Sequence, residues 1–367
     1  MAFPLNIKIQ KKHRWLWLGA AALLLRIIYG IFPAFCEYSY SRGFFLGIRW
    51  IVDNTWGHFM PFAMFYVFFL TIGIWAAWAL RKEYLGRDAN RSWKKWSGKA
   101  LLNFGNFLGA VVFFFMVFWG FNYARIPLED QMGLEVRKLY MEELRAEADY
   151  IAQKSAAARA EIPGIDTFEV MAKHFPEDLE TEMRNCLVLV LKELGYPTVG
   201  KVRGRQLYPG LLYGFNSSGV YWPFTGEGHI ESALHILQKP FTMAHEMSHG
   251  YGFGDEGTCN FLGYLACLKS KYPAIRYSGY LNCWRYVFSE VDDEYYLHNR
   301  PLIDRGMFND LEAIHREMKK YFEFLPGLQE LAYEAYLKMQ GIEDGLQNYD
   351  RMILMVAALR RKNTSDN

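Results

Sequence analysis

Hydrophobic and polar positions along the chain fall into two regimes. In the first third, Trp15 to Phe35, His58 to Leu80 and Leu101 to Phe121 form three apolar runs. Each has about 20 residues, the length a helix needs to cross a bilayer. The second and third contain no Asp, Glu, Lys or Arg. The first carries Arg26, which costs roughly 2.5–3.5 kcal/mol on insertion scales and is offset by its Leu, Ile, Trp and Phe neighbours. Snorkelling or burial between helices is the simpler reading of Arg26, and a functional intramembrane charge is the alternative.

From Asn122 onward the pattern is amphipathic. Leu139, Leu144 and Ile151 mark a helix over Gly133 to Ala160, broken by Pro163-Gly164. Phe175 to Leu194 reads as another helix, with Pro176 near its start and Gly195 after its end. Tyr208 to Phe224 alternates aromatics with Gly and Ser around Asn216-Ser217-Ser218-Gly219, a hairpin signal. Helical patterning resumes after Pro240 and runs to Arg360, and Lys362 to Asn367 reads as a frayed tail. The expected fold class is α+β, mainly helical. A membrane anchor over residues 1–121 would hold three transmembrane helices, near 15–35, 58–80 and 101–121. A second domain would cover 122–367.

Composition agrees with a chain that is partly membrane-embedded. Of 367 residues, 51% are hydrophobic and 17% aromatic, while the charged share of 22% is ordinary. A net charge of +2 is too small to suggest nucleic acid as a partner. Lys8, Lys11, Lys12 and Arg14 precede the first apolar run, but no small-residue cleavage site follows it, so the run is expected to be a retained anchor. The connection after the first run holds only Arg42 and Arg49. The next holds Arg81, Lys82, Arg87, Arg91, Lys94, Lys95 and Lys99. The positive-inside rule then places the N-terminus in the cytoplasm and residues beyond Phe121 outside it, in the periplasm of a bacterium with two membranes.

Cys36, Cys186, Cys259, Cys267 and Cys283 are odd in number and irregularly spaced, which points to buried thiols rather than a disulfide framework or cysteine zinc site. The chemistry lies in His245-Glu246-Met247-Ser248-His249. Two histidines four apart share a helix face, so both imidazoles can reach one Zn²⁺. Glu246 stands beside them, where a general base would take a proton from metal-polarised water. Pro240 suits the first turn of that helix, and Gly250, Gly252 and Gly254 suit its end.

A catalytic zinc wants a third protein ligand. Glu256 is favoured, because Glu256-Gly257-Thr258-Cys259-Asn260 reads like the ExxAD-type element of gluzincins. Asn260, four residues on, would share a face with Glu256 and support a ligand imidazole by hydrogen bonding. Asp255, otherwise a helix N-cap, is a second candidate, and a more distant acid such as Glu290 a third. Glu227 and His229 are candidates for touching substrate, or else a loop acid and a solvated histidine. Tyr277 and Tyr280 are candidates for an oxyanion donor, or else packing residues. His174, His235, His298 and His315 have no ligand-like spacing.

The chain resembles the bacterial membrane-anchored HExxH proteins of domain-of-unknown-function family DUF3810. The resemblance runs through Trp119-Gly120-Phe121-Asn122-Tyr123-Ala124-Arg125-Ile126-Pro127, Gly219-Val220-Tyr221-Trp222-Pro223-Phe224-Thr225-Gly226-Glu227 and Pro240 to His249. It continues in Gly252-Phe253, Glu256, Asn260-Phe261, Arg276-Tyr277-Ser278-Gly279-Tyr280-Leu281, Tyr336-Leu337-Lys338, Gly345 and Tyr349. The family's pattern often carries another acid where Thr258 stands and Ala where Cys259 stands. The resemblance implies a three-span anchor and an outer, zincin-like zinc domain of gluzincin type with metallopeptidase activity, without naming a substrate.

The expected activity is zinc-dependent hydrolysis of a peptide or protein outside the cytoplasmic membrane, with Glu246 as general base. An intramembrane protease is disfavoured, because Glu227, His229, Glu231, His235 and Lys239 precede the motif and leave no 20-residue apolar run around it. A membrane scaffold or sensor with a structural zinc is the alternative. Glu246 argues against it, since a structural site has no need of a base.

Overall fold

The computed structural model describes residues 13–85, 93–299, 303–321 and 351–365. It is mainly helical with one small sheet, and contacts divide it into two units. The first unit is Met1–Ile48, Met64–Arg125 and Pro223–Thr225; the second is Arg49–Ala63, Ile126–Trp222 and Gly226–Asn367.

The first unit contains three helices long and apolar enough to cross a membrane: α1 (Arg14–Ile31), α3 (Met64–Leu85) and the Ser97–Phe118 part of α4 (Trp93–Phe118). Helix α1 stops at Phe32, the residue before Pro33, where the helical region is disfavoured. Met60 is likewise extended before Pro61, so α3 starts six residues later than the apolar run at His58. No described residue of α3 is buried, and Leu70, Ile74 and Trp78 present their side chains outward, as a lipid-facing helix does. Helices α1 and α4 meet through glycine. A Cβ at Gly109 would lie 2.5 Å from the Trp15 carbonyl oxygen, so only glycine allows this approach. The stretch after α1 is helical rather than a loop, running through Glu37–Phe44 in wide π-type turns into α2 (Phe45–Asn54). Buried Glu37 pairs there with Arg42 at 2.7 Å and Arg125 at 2.8 Å.

In the second unit, helix α5 (Met141–Ala160) packs along α9 (Pro273–Glu290). Helix α6 (Leu179–Glu193) packs on α7 (Lys239–Gly250) and α8 (Glu256–Leu268). Helices α10 (Arg305–Met318) and α11 (Arg351–Ser365) complete it. Helix α5 begins at Met141, later than Gly133, because the Glu143 carboxylate takes the Tyr140 N–H at 2.9 Å and fixes the start. Asp178 caps α6 by accepting from the Thr181 N–H, which moves that start from Phe175 to Leu179. The expected frayed tail is helical to Ser365, and Lys362 Nζ donates to the Met132 carbonyl. Part of the helical run expected before Arg360, and its Tyr336, Gly345 and Tyr349, lies outside the described residues.

Strands β1 (Gly204–Leu207), β2 (Gly219–Trp222) and β3 (Glu227–Glu231) form a sheet in the order β1-β3-β2. Strand β1 is parallel to β3 and β2 antiparallel, with Gly204 opposite Gly228 and Tyr221 opposite Gly228. The hairpin is therefore β2–β3, not a pair flanking Asn216. Residues 208–218 instead form a loop, because the buried Glu231 carboxylate accepts from the N–H groups of Gly210, Leu212 and Tyr213 at 2.9, 2.9 and 3.3 Å. Asn216 turns the chain in the left-handed region at φ 47°.

Helix α7 lies on this sheet over glycines from all three strands. A Cβ at Gly204 would meet Met243 and Met247, and one at Gly219 or Gly228 would meet Glu246. Helix α8 crosses on another side, with Gly263 against the Phe241 carbonyl and the His245 nitrogen. Every residue of α7 from Pro240 to Gly250 is consequently buried.

Candidate metal centre

Two histidines and a glutamate on one buried helix are costly to fold unless each polar atom finds a partner. Helix geometry supplies the first relationship: His245 and His249, one turn apart, bring their Nε2 atoms within 3.1 Å. Helix α8 supplies the second. Glu256 in its first turn places Oε2 at 3.1 Å from His245 Nε2 and 3.4 Å from His249 Nε2. Among the described residues, these three form the one cluster suited to hold a metal ion.

The outer ring nitrogens fix which atoms face inward. His245 Nδ1 lies 2.8 Å from Asn260 Oδ1, one turn beyond Glu256 on α8. His249 Nδ1 lies 2.8 Å from the Phe253 carbonyl oxygen. With Nδ1–H donating outward in each ring, both Nε2 atoms present lone pairs to each other and to the Glu256 carboxylate.

The stop of α7 creates the second contact. Gly252, at φ 89°, turns the chain so that the Gly252 N–H reaches the His249 carbonyl and the Phe253 N–H reaches the Ser248 carbonyl. That turn carries the Phe253 carbonyl back under His249. Asp255 then caps α8, its Oδ1 accepting from the Thr258 N–H at 2.7 Å, so its carboxylate serves the helix start. Cys259 Sγ lies on the outer side of His249, 3.4 Å from Nδ1.

These residues fit a zinc ion. A tetrahedral zinc with bonds of about 2.0–2.1 Å sets its donors roughly 3.3 Å apart, close to the 3.1–3.4 Å separations of this triangle. Three inward-facing acceptors repel one another and are reconciled by a cation. Burial raises the Glu256 carboxyl; were the imidazoles protonated instead, their positive charges would overcome that burial and hold it well below the usual carboxylate range.

Glu246 faces the same space from the other side. Its Oε1 is 4.0 Å from His245 Nε2, and its buried Oε2 has no hydrogen-bond partner among the described residues. Burial, reinforced by the negative charge of Glu256 and opposed by the two imidazoles, pushes its carboxyl up to about 7.

The other sequence candidates stand elsewhere. Glu227 and His229 are not solvated loop residues; both are buried on β3, with His229 Nε2 3.3 Å from Glu227 Oε2. Residues alternate along a strand, and Gly228 faces Glu246, so this pair occupies the opposite face of the sheet. The buried Tyr277 hydroxyl donates to Asp310 at 2.9 Å, and Tyr280 packs edge-on against Tyr264. Glu290 is exposed at the end of α9. His174 accepts from the Met171 N–H, and His315 is exposed. All five cysteines are buried free thiols.

Sequence reasoning did not reach the Phe253 carbonyl or the glycine floor under Glu246. A backbone carbonyl has no side-chain signature, and Gly219 and Gly228 read as turn and strand punctuation until α7 is laid upon them.

No curated protein and no solved structure matches the chain. A family model described as "Protein of unknown function (DUF3810)" matches residues 40–357, spanning both units and the whole centre. The chain thus belongs to the DUF3810 family.

Proposed function

We propose that this protein is a membrane-anchored zinc metallopeptidase with a zincin-like catalytic unit of gluzincin type. The observation that carries the reading is the inward-facing triangle of His245, His249 and Glu256, with the Glu246 carboxylate, whose Oε2 has no hydrogen-bond partner among the described residues, beside it. His245, His249 and Glu256 would hold the ion, and Asn260 and the Phe253 carbonyl would fix the imidazole orientations. When bound, zinc supplies a Lewis acid that polarises water and the substrate carbonyl.

Glu246 does the proton work. As the carboxylate it accepts a proton from the attacking water, and as the acid it passes that proton to the leaving amine nitrogen. Peptide is the favoured substrate because β2 is an edge strand whose first residue, Gly219, lies against Glu246. An extended peptide laid beside a sheet edge would bring its backbone to the base. The partners are then a peptide or protein substrate and the lipid bilayer. The charge asymmetry around α3 and α4 supports a bacterial cytoplasmic membrane location, with the catalytic unit on the periplasmic side.

The test is hydrolysis of a peptide library by the full chain in detergent, before and after chelation. Activity lost on chelation and restored by zinc supports the reading. Zinc binding without hydrolysis of any peptide would favour a structural zinc in a membrane scaffold or sensor.

A further inference from the structure

Residues Arg49–Ala63, between the first two apolar helices in sequence, belong to the same unit as the candidate centre. Arg49 is among the largest fully buried side chains of the protein. Its guanidinium donates to both Asp53 carboxylate oxygens at 2.7 and 2.9 Å, and to the Gly226 carbonyl at 2.6 Å. It also donates to the Tyr221 hydroxyl. Asp53 is fixed in turn by the Lys201 N–H at 3.1 Å. Gly226 bends the chain at φ 71°, and a Cβ there would meet Arg49 and Val52.

Tyr221 links this cluster to the centre. Its ring lies flush against Gly250, where a Cβ would be 3.3 Å from Tyr Cε2, and its centroid is 6.3 Å from that of His249. Two residues earlier on the same strand, Gly219 lies against the Glu246 carboxylate. Arg49 therefore grips Gly226 at the β3 end of the β2–β3 turn and Tyr221, the strand residue that touches the His249 end of α7. Burying a guanidinium is costly, and this one is retained with a paired acid and two further acceptors.

We propose that Arg49 is a positioning residue of the metal centre, acting through Tyr221 and strand β2 on His249 and Glu246. The assignment rests on the zinc reading above. A fork of donors in one plane is needed to hold Asp53, Gly226 and Tyr221 together, which lysine cannot reproduce.

The experiment measures zinc dissociation constants by chelator competition, and kcat/KM, on the full chain in detergent. The variants are Arg49→Met, Arg49→Lys, Tyr221→Phe and the Arg49→Met/Tyr221→Phe double. Arg360→Met, which breaks the pair between Arg360 on α11 and Glu147 on α5, is the control for lost stability alone. Arg49→Met is expected to weaken zinc binding about 10- to 100-fold, in the range for groups that orient metal ligands. Arg49→Lys should recover only part of this. Tyr221→Phe, which keeps the ring, should weaken binding less, and the double variant should fall short of the product of the singles. Arg360→Met should leave zinc affinity unchanged. A wild type that binds zinc, with Tyr221→Phe at wild-type affinity and Arg49→Met matching the control, overturns the positioning role alone. A wild type that binds no zinc overturns the metal reading and this role with it.

Discussion

Gly219 lies so close to Glu246 that a Cβ on it would stand 2.3 Å from the Glu246 Oε1 atom. The carboxylate is thus seated on bare backbone, and its position depends on the absence of one methyl group. Gly219→Ala should displace the carboxylate while leaving His245, His249 and Glu256 in place. The expected outcome is a loss of kcat of about 10²- to 10⁴-fold, the range of general acid–base catalysis, with zinc affinity within a few-fold of wild type. Steady-state kinetics and zinc titration on one preparation check it; unchanged kcat would mean that Glu246 is not the base.

The neighbouring Gly228 makes a different prediction. A Cβ there would press on the Glu246 Cβ at 2.8 Å and on its backbone carbonyl carbon and oxygen at 3.0 Å. Backbone cannot swing aside as a carboxylate can, so α7 must lift from the sheet. Gly228→Ala should cost about 1–3 kcal/mol, as overpacking does, and lower the thermal midpoint. A thermal melt at wild-type temperature would show that α7 and β3 are not in this contact.

Asn260 and the Phe253 carbonyl hold the two imidazoles from outside. Asn260→Ala should weaken zinc binding about 10- to 100-fold without changing stoichiometry at saturating metal. Competition with a chromophoric chelator reads this directly, and an unchanged dissociation constant would remove Asn260 from the centre.

Away from the centre, Asp310 is fully buried and accepts from Arg159 Nε at 2.8 Å, the Val170 N–H at 2.7 Å and the Tyr277 hydroxyl at 2.9 Å. Asp310→Ala leaves a buried guanidinium unpaired and should cost about 3–5 kcal/mol. The shift in thermal midpoint measures it, with zinc stoichiometry kept in whatever fraction remains folded.

Much of the centre's arrangement follows from spacing. The i, i+4 relationship puts His245 and His249 on one face of α7, and the same relationship puts Glu256 and Asn260 on one face of α8. The three apolar helices were legible from hydropathy, apart from the shift at Pro61. Other features needed tertiary structure. Hydropathy divides 36–63 into connection and span, and cannot see that Arg49–Ala63 packs within the second unit. The aromatic alternation at Tyr208 resembles a strand, yet Glu231, more than ten residues later, captures its N–H groups and makes it a loop. His229 reads as solvated beside charged neighbours, but strand pairing buries it.

The most direct test of the central claim measures zinc content and peptide hydrolysis together on the full chain, wild type beside Glu246→Gln. The account predicts about one zinc per chain in both proteins, with hydrolysis in the wild type alone. Folded wild type that holds no zinc, or a Glu246→Gln variant that hydrolyses peptide at the wild-type rate, would contradict it.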